Sequence, residues 1–170
     1  MSSGYPDAAP ARLRPTQEAD LPFVLALELD EANRQWIIPW SRERHVAAIC
    51  DPDQAHLIIG SLADPRPQGY MILSGLRDPN CCVELRRILV APKGHGLGRQ
   101  AVRLVKDRAF TEWNAHRLWL DVKEHNVAAR RLYESEGFKA EGVLRECLNV
   151  GERFESLLVM SMLRSEYRGP

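Results

Sequence analysis

The chain has no surplus of charge of either sign. Lysine and arginine together number 23, aspartate and glutamate 23, and the formal net charge is zero. Nucleic-acid-binding domains normally carry a strong basic excess, so the balance argues against that class and leaves only local basic clusters for a small polyanion. Cysteine is scarce and poorly spaced for a metal. Cys50, Cys81, Cys82 and Cys147 make no C-x-x-C pair, and adjacent Cys81 and Cys82 are badly placed to bridge each other. Free thiols in a reducing compartment follow. No apolar run approaches the roughly 18 residues of a membrane span. Met1 to Pro10 holds none of the hydrophobic core that a secretory leader needs. Repeats and low-complexity tracts are missing too. The expectation is a cytoplasmic protein without a metal centre.

What is present is ordinary globular material: 170 residues, 45% hydrophobic and 27% charged. That length suits one domain, 11–170, behind a flexible tail, 1–10. Ala11 to Arg14 reads as a first strand. Thr16 reads as the N-cap of a helix whose apolar stripe is Leu21, Val24, Leu25 and Leu29. Pro39 in Trp36-Ile37-Ile38-Pro39-Trp40 interrupts the helical stretch, and Ser41 caps a second helix, Arg42 to Cys50. His56 to Ile59 and Tyr70 to Leu73 form a hairpin across a Pro/Gly-rich turn. Cys82 to Val90 is a longer strand, followed by a glycine-rich turn and a helix to about Phe110. Arg117 to Val122 alternates as a strand. Asn126 caps a helix ending at Gly137, which suits the left-handed C′ position, and two last strands cover Gly142 to Val150 and Arg153 to Leu163. Strand and helix alternate in the middle with antiparallel hairpins at both ends, so the class is α/β (α+β) with one mixed sheet and about four helices.

Gly94-His95-Gly96-Leu97-Gly98 joins a strand to a helix. Such a loop lets backbone N–H groups approach a phosphate, with the helix N-terminus adding partial positive charge. Lys93 and Arg99 flank it, and a pyrophosphate is the natural guest. A nucleotide P-loop would end in G-K-[S/T], whereas this one ends Gly98-Arg99-Gln100. A dinucleotide fingerprint needs glycine or alanine where Arg99 stands. Further on, Asn126 and Tyr133 project from nearly one helix face with Arg130 close by, while Ala128 and Leu132 on the opposite side read as core contacts.

The run Leu85-Arg86-Arg87-Ile88-Leu89-Val90-Ala91-Pro92-Lys93-Gly94-His95-Gly96-Leu97-Gly98-Arg99 resembles the coenzyme A loop of the GCN5-related N-acetyltransferase (GNAT) superfamily, [Q/R]-x-x-G-x-[G/A]. Lys93 at its first position keeps the charge but loses guanidinium geometry, which shifts pyrophosphate contact toward the backbone. Asn126 to Phe138 resembles the same superfamily's N-x-x-A-x-x-L-Y-x-x-x-G-F signature. Arg117 to Val122, Glu141 to Glu146 and Val159 to Leu163 look like the branch of ribosomal-protein N-terminal acetyltransferases, with polyamine acetyltransferases as close relatives.

The resemblance implies a mostly antiparallel, twisted sheet with a central strand–loop–helix site for acetyl-CoA. It places the cofactor against Ile88, Leu89 and Val90, the loop from Lys93 to Arg99 (His95 and Leu97 included), and Asn126. It makes Tyr133 the acid for the departing sulfur. Glu84, the nearest carboxylate upstream on the same strand, is the candidate base, and a salt bridge to Arg86 or Arg87 is its structural alternative. Glu28 (with Glu31), Trp36 and Trp40 are candidates for a wall of the acceptor pocket, since aromatics and carboxylates suit a cationic amine. The function implied is acetyl transfer to a primary amine, either a protein N-terminus or a small amine such as a polyamine, with a homodimer as the expected assembly. A noncatalytic acyl-CoA-binding module is the alternative from another class.

Overall fold

A computed structural model describes residues 10–169. Of the expected tail only Pro10 lies among them. Seven strands, β1 (Ala11–Pro15), β2 (Gln54–Ser61), β3 (Gly69–Ser74), β4 (Cys82–Val90), β5 (Arg117–Lys123), β6 (Lys139–Val150) and β7 (Arg153–Leu163), form one sheet in the order β1-β2-β3-β4-β5-β7-β6. Every neighbouring pair is antiparallel except β4 and β5. The helices are α1 (Leu21–Leu29), α2 (Glu31–Arg34), α3 (Arg42–Cys50), α4 (Leu97–Thr111) and α5 (Val127–Ser135). The fifth helix, beyond the expected four, is the single turn α2.

β2 and β3 are apolar almost without interruption because both faces are covered. Alternate residues go to opposite sides. Leu57, Ile59, Met71 and Leu73 join the core that also holds Val102 and Val105 of α4. Ile58, Tyr70 and Ile72 pack with Val24 and Leu27 of α1 and Ala48 of α3. β4 and β5 run parallel over only three pairs, Cys82 with Arg117, Val83 with Leu118 and Glu84 with Trp119. β4 stays paired with β3 as far as Val90, across an irregularity opposite Ile72 and Leu73. From Leu85 onward its other edge has no partner on β5.

Two local expectations fail at the first helix. Thr16 is no cap: it is buried, with Oγ1 2.8 Å from His56 Nδ1. Asp20 instead closes a 3-10 turn, Glu18–Asp20, by accepting from the Gln17 amide at 2.9 Å. Leu29 is 59% exposed and Leu27 is buried in its place. Leu21 to Leu29 is apolar on nearly every side, so its periodicity could not single out the buried face.

Beneath this helix lies a polar network with almost no access to water. The Glu28 carboxylate is fully buried; it accepts from Tyr70, from Arg87 and, at 2.6 Å, from the Trp40 amide. His45 Nε2 lies 3.3 Å away, an electrostatic contact outside hydrogen-bond alignment. His45 Nδ1 meets His56 Nε2 at 3.0 Å. Burial pushes Glu28 up, but His45, Tyr70, the Arg87 charge and the Trp40 amide outweigh it and hold the carboxyl at about 2. Burial, with repulsion from His45, lowers His56 to about 4.

Both shifts act in one direction. The unfolded chain binds more protons than the folded one, His56 between pH 6.5 and about 4 and Glu28 between 4.5 and about 2, so stability falls as pH falls through those windows. The His56 window alone corresponds to about 3 kcal/mol. The thermal midpoint is expected to drop steadily from pH 7 to pH 4, and His56→Asn is expected to flatten that slope while lowering the midpoint at pH 7. A wild-type midpoint that stays level over this range contradicts the assignment.

Candidate active site

A cleft of about 760 Å³ opens where β4 and β5 part. Ile88, Leu89 and Val90 of β4 line it, opposite Asn126, Ala128, Ala129, Leu132 and Tyr133 from the start and middle of α5. Trp36, Ile37, Ile38 and Trp40, between α2 and α3, contribute a further wall. Three cations bind backbone carbonyls of that wall and of the α2 turn leading into it. Lys93 Nζ donates to Ala32 at 2.8 Å, Lys123 Nζ to Gln35 at 2.7 Å, and Arg87 Nη2 to Ile38 at 2.9 Å. The Trp36 ring lies 5.4 Å from that of His125.

The glycine loop has the shape an anion needs. Gly94 and Gly96 have φ of 83° and 77°, and a Cβ on either would meet nothing within 4 Å. Glycine is therefore required by the left-handed backbone and not by crowding. Gly96 is the N-cap of α4 and provides no side-chain cap, so the first amides of the helix remain open to an oxyanion. Lys93 and Gly98 reach the cleft.

Three side chains in this stretch turn away from it. Leu97 is buried in the core, and it lines, with His95, a separate cavity of about 330 Å³ on the other side. Arg99 donates to Ser135 Oγ at 2.7 Å and to Glu136 at 2.8 Å. The amphipathic α4 dictates this: with Leu97 in the core, Arg99 points at the C-terminus of α5, where Arg103 and Lys106 share the same carboxylate. Any contribution of His95, Leu97 and Arg99 to the cleft comes from their backbone.

α5 starts as the sequence suggests, with Asn126 Oδ1 accepting from the Ala129 amide at 3.2 Å. Asn126 borders the cleft as it does so. Leu132 packs against the core as expected while also lining the cleft, Ala128 is exposed and lines the cleft, and Arg130, expected close to the Asn126–Tyr133 face, donates to the Glu124 carbonyl at 2.9 Å. Tyr133 has a buried ring 5.8 Å from that of Phe138, and among the described residues its hydroxyl makes no hydrogen bond. Burial raises the phenol above its ordinary 10.0, and the Asp121 carboxylate raises it further.

Glu84 also lines the cleft, accepting from Ser74 Oγ at 2.8 Å and from Arg86 Nη2 at 2.9 Å. Beside it stands Asp121 of β5, which sequence reasoning passed over. Its side chain opens to the cleft, yet the enclosing walls push its carboxyl up; Glu84 adds to the rise and Arg86 opposes it. The one signal for it was a carboxylate interrupting the strand Leu118-Trp119-Leu120-Asp121-Val122.

The proposed carboxylate–aromatic wall takes a different form. Glu28 does not reach the cleft: its bonds to Tyr70, Arg87 and the Trp40 amide hold it inside. Trp40 lines the cleft but is only 8% exposed, and its ring already receives the guanidiniums of Arg44, at 3.9 Å, and Arg87, at 4.7 Å. Trp36 alone of the three is partly open to the cleft and free of a cation.

Residues 22–138 match the model of the Acetyltransferase (GNAT) family. An uncharacterized N-acetyltransferase of Mycobacterium tuberculosis is 33% identical over 121 residues, 71% of this chain and 74% of that one. Spermidine N(1)-acetyltransferase of Escherichia coli is 25% identical over 169 residues, 95% of this chain and 90% of the relative. The crystal structure of spermidine N-acetyltransferase from Vibrio cholerae in complex with CoA and spermine superposes with a TM-score of 0.84 at 25% identity, covering 93% of this chain and 98% of that one. A strand edge left open beside an uncapped helix start, in a chain with these relatives, leads to one assignment: the protein belongs to the GNAT acetyltransferase family and is an acetyl-CoA-dependent N-acetyltransferase.

Proposed function

We propose that the acetyl group passes directly from acetyl-CoA to a primary amine held beside Glu84 and Asp121, with Tyr133 as the acid. The observation that carries this is the Tyr133 hydroxyl, without a hydrogen bond among the described residues, in the same cleft as the β4 edge that β5 leaves open. The residues fit the donor. Open amides at the start of α4, the left-handed Gly94 and Gly96, and Lys93 suit a pyrophosphate, and Ile88 to Val90 offer main-chain groups to an extended amide-bearing arm. Glu84 accepts the proton of the amine through water. The neutral amine attacks the thioester carbonyl, a β4 amide supports the oxyanion, the C–S bond breaks as Tyr133 gives its proton to the sulfur, and the proton shed by the acylated nitrogen returns through water to the Tyr133 phenolate. A raised phenol pKa keeps that proton available.

The acceptor is a small amine in this reading, supported by the spermine in the Vibrio cholerae structure. A protein N-terminus, as in the ribosomal-protein branch, is the second reading; it draws on the resemblance of Glu141 to Glu146 and Val159 to Leu163. The enzyme works in the cytoplasm, in keeping with four free cysteines, as a single catalytic domain over 11–170. It assembles with copies of itself, as one dodecameric neighbour from Vibrio cholerae does.

Isothermal titration with acetyl-CoA is expected to show saturable binding. Gly96→Ala is expected to weaken it about tenfold, because an L-residue in the left-handed region costs roughly 1–2 kcal/mol. Absence of heat at millimolar ligand ends the donor assignment.

Tyr133→Phe is expected to lower kcat by about 100-fold with KM for acetyl-CoA little changed, the size of effect usual for a lost general acid. In the folded wild type, kcat is expected to hold as pH passes 10.0, where an ordinary phenol ionises. A decline centred there, or an unimpaired Phe variant, removes Tyr133 from the chemistry.

A further inference from the structure

The cleft walls carry more cationic than acidic side chains. Five cationic side chains line the cleft against two carboxylates, Glu84 and Asp121. Most of the five are already engaged: Lys123 pairs with Glu155 at 2.8 Å, Lys93 is bound to the Ala32 carbonyl, Arg87 to Glu28 and Arg86 to Glu84. Arg44 is the exception. Its guanidinium lies 3.9 Å from the Trp40 ring centroid, and among the described residues it has no hydrogen bond and no ion pair.

Arg44 is exposed toward the cleft, and its nearest charged neighbours are mostly of its own sign. Partial burial, and then repulsion from Arg87 and Arg86, lower the Arg44 pKa, with only Glu28 opposing. Glu28 is occupied by Arg87. The guanidinium has Arg86 and Arg87 of β4 as its charged neighbours, upstream of the glycine loop. Arg86 precedes the end of β4 by four residues, roughly 13 Å of strand, and the phosphate-binding loop begins beyond that end. Arg86 also links the two groups that matter: it hydrogen-bonds Glu84 and acts electrostatically on both Asp121 and Arg44.

Resting on the acetyltransferase reading, we propose that the acceptor is a primary amine that also carries a carboxylate, the carboxylate paired with Arg44 and the amine directed to Glu84 and Asp121. A guanidinium flattened on an aromatic ring keeps its N–H edge for a bidentate oxyanion. The two carboxylates, some way along the cleft, take the amine. A polyamine would set a second cation against Arg44, where like charges repel, so the acceptor class differs from that of the named relatives.

The test is thiol release from acetyl-CoA with length-matched acceptors: ω-amino acids, diamines, neutral alkylamines and spermidine. Free amino acids and tripeptides with an acidic second residue run alongside, to tell a small acid from a peptide source. The expected result is a kcat/KM for carboxylate-bearing amines at least tenfold above the matched diamines. Arg44→Ala is expected to abolish that preference through KM, and Arg44→Lys to restore part of it, with thermal midpoints confirming folded variants. Diamines or spermidine used equally well, or an Arg44→Ala loss that falls alike on all acceptors, overturns the proposal and leaves the acetyltransferase reading intact. If acetyl-CoA binds and no acceptor turns over, both fall together.

Discussion

The parallel ladder between β4 and β5 stops after Glu84 and Trp119, and the cleft exists because it stops there. A strand edge inside a protein cannot leave its N–H and C=O groups without partners. Along Leu85 to Val90 one edge is satisfied by β3, and the other faces the gap. A ligand with an extended, amide-rich arm can fill that edge as a strand would. The rest of the site is arranged around the gap: α4 starts at its far end with uncapped amides, α5 crosses its side, and the 32–40 segment is held over it by Lys93, Lys123 and Arg87.

Arg87 ties the site to the core. One part of its guanidinium neutralises the buried Glu28, another holds the Ile38 carbonyl, and its plane meets Trp40. A buried carboxylate left without its cation is strongly unfavourable, so the position of the Trp40 wall follows from the need to keep Glu28 compensated. This explains why the cleft wall shows arginine and tryptophan where a carboxylate was expected. Glu28 organises the wall from behind.

Much of this was legible beforehand because it is local. The span of β4, the alternation of Leu118, Leu120 and Val122, the Asn126 cap and the glycine loop each follow from neighbours within a few residues. What escaped depends on distant partners. Thr16 gave up its capping role for His56, forty residues away. Ala128 was assigned to the core with Leu132 on helical spacing, and only Leu132 packs there, since spacing fixes which residues share a face and cannot say what that face meets. Asp121 and Arg44 were overlooked for the same reason, since one charged residue on a strand or helix is ordinarily just solvated.

The sequence alone determined the order of strands and helices, the conformation of the Gly94–Gly98 turn and the residue types available for acyl transfer, because short-range sterics, hydrogen bonding and periodicity act along the chain. Tertiary structure alone decided which charges remain unpaired. Glu28 is cancelled by Arg87 across 59 residues, Arg99 is drawn to Glu136 across 37, and the Arg44 guanidinium has no ion pair among the described residues. Charge compensation acts through space, so it is settled only when the chain has folded.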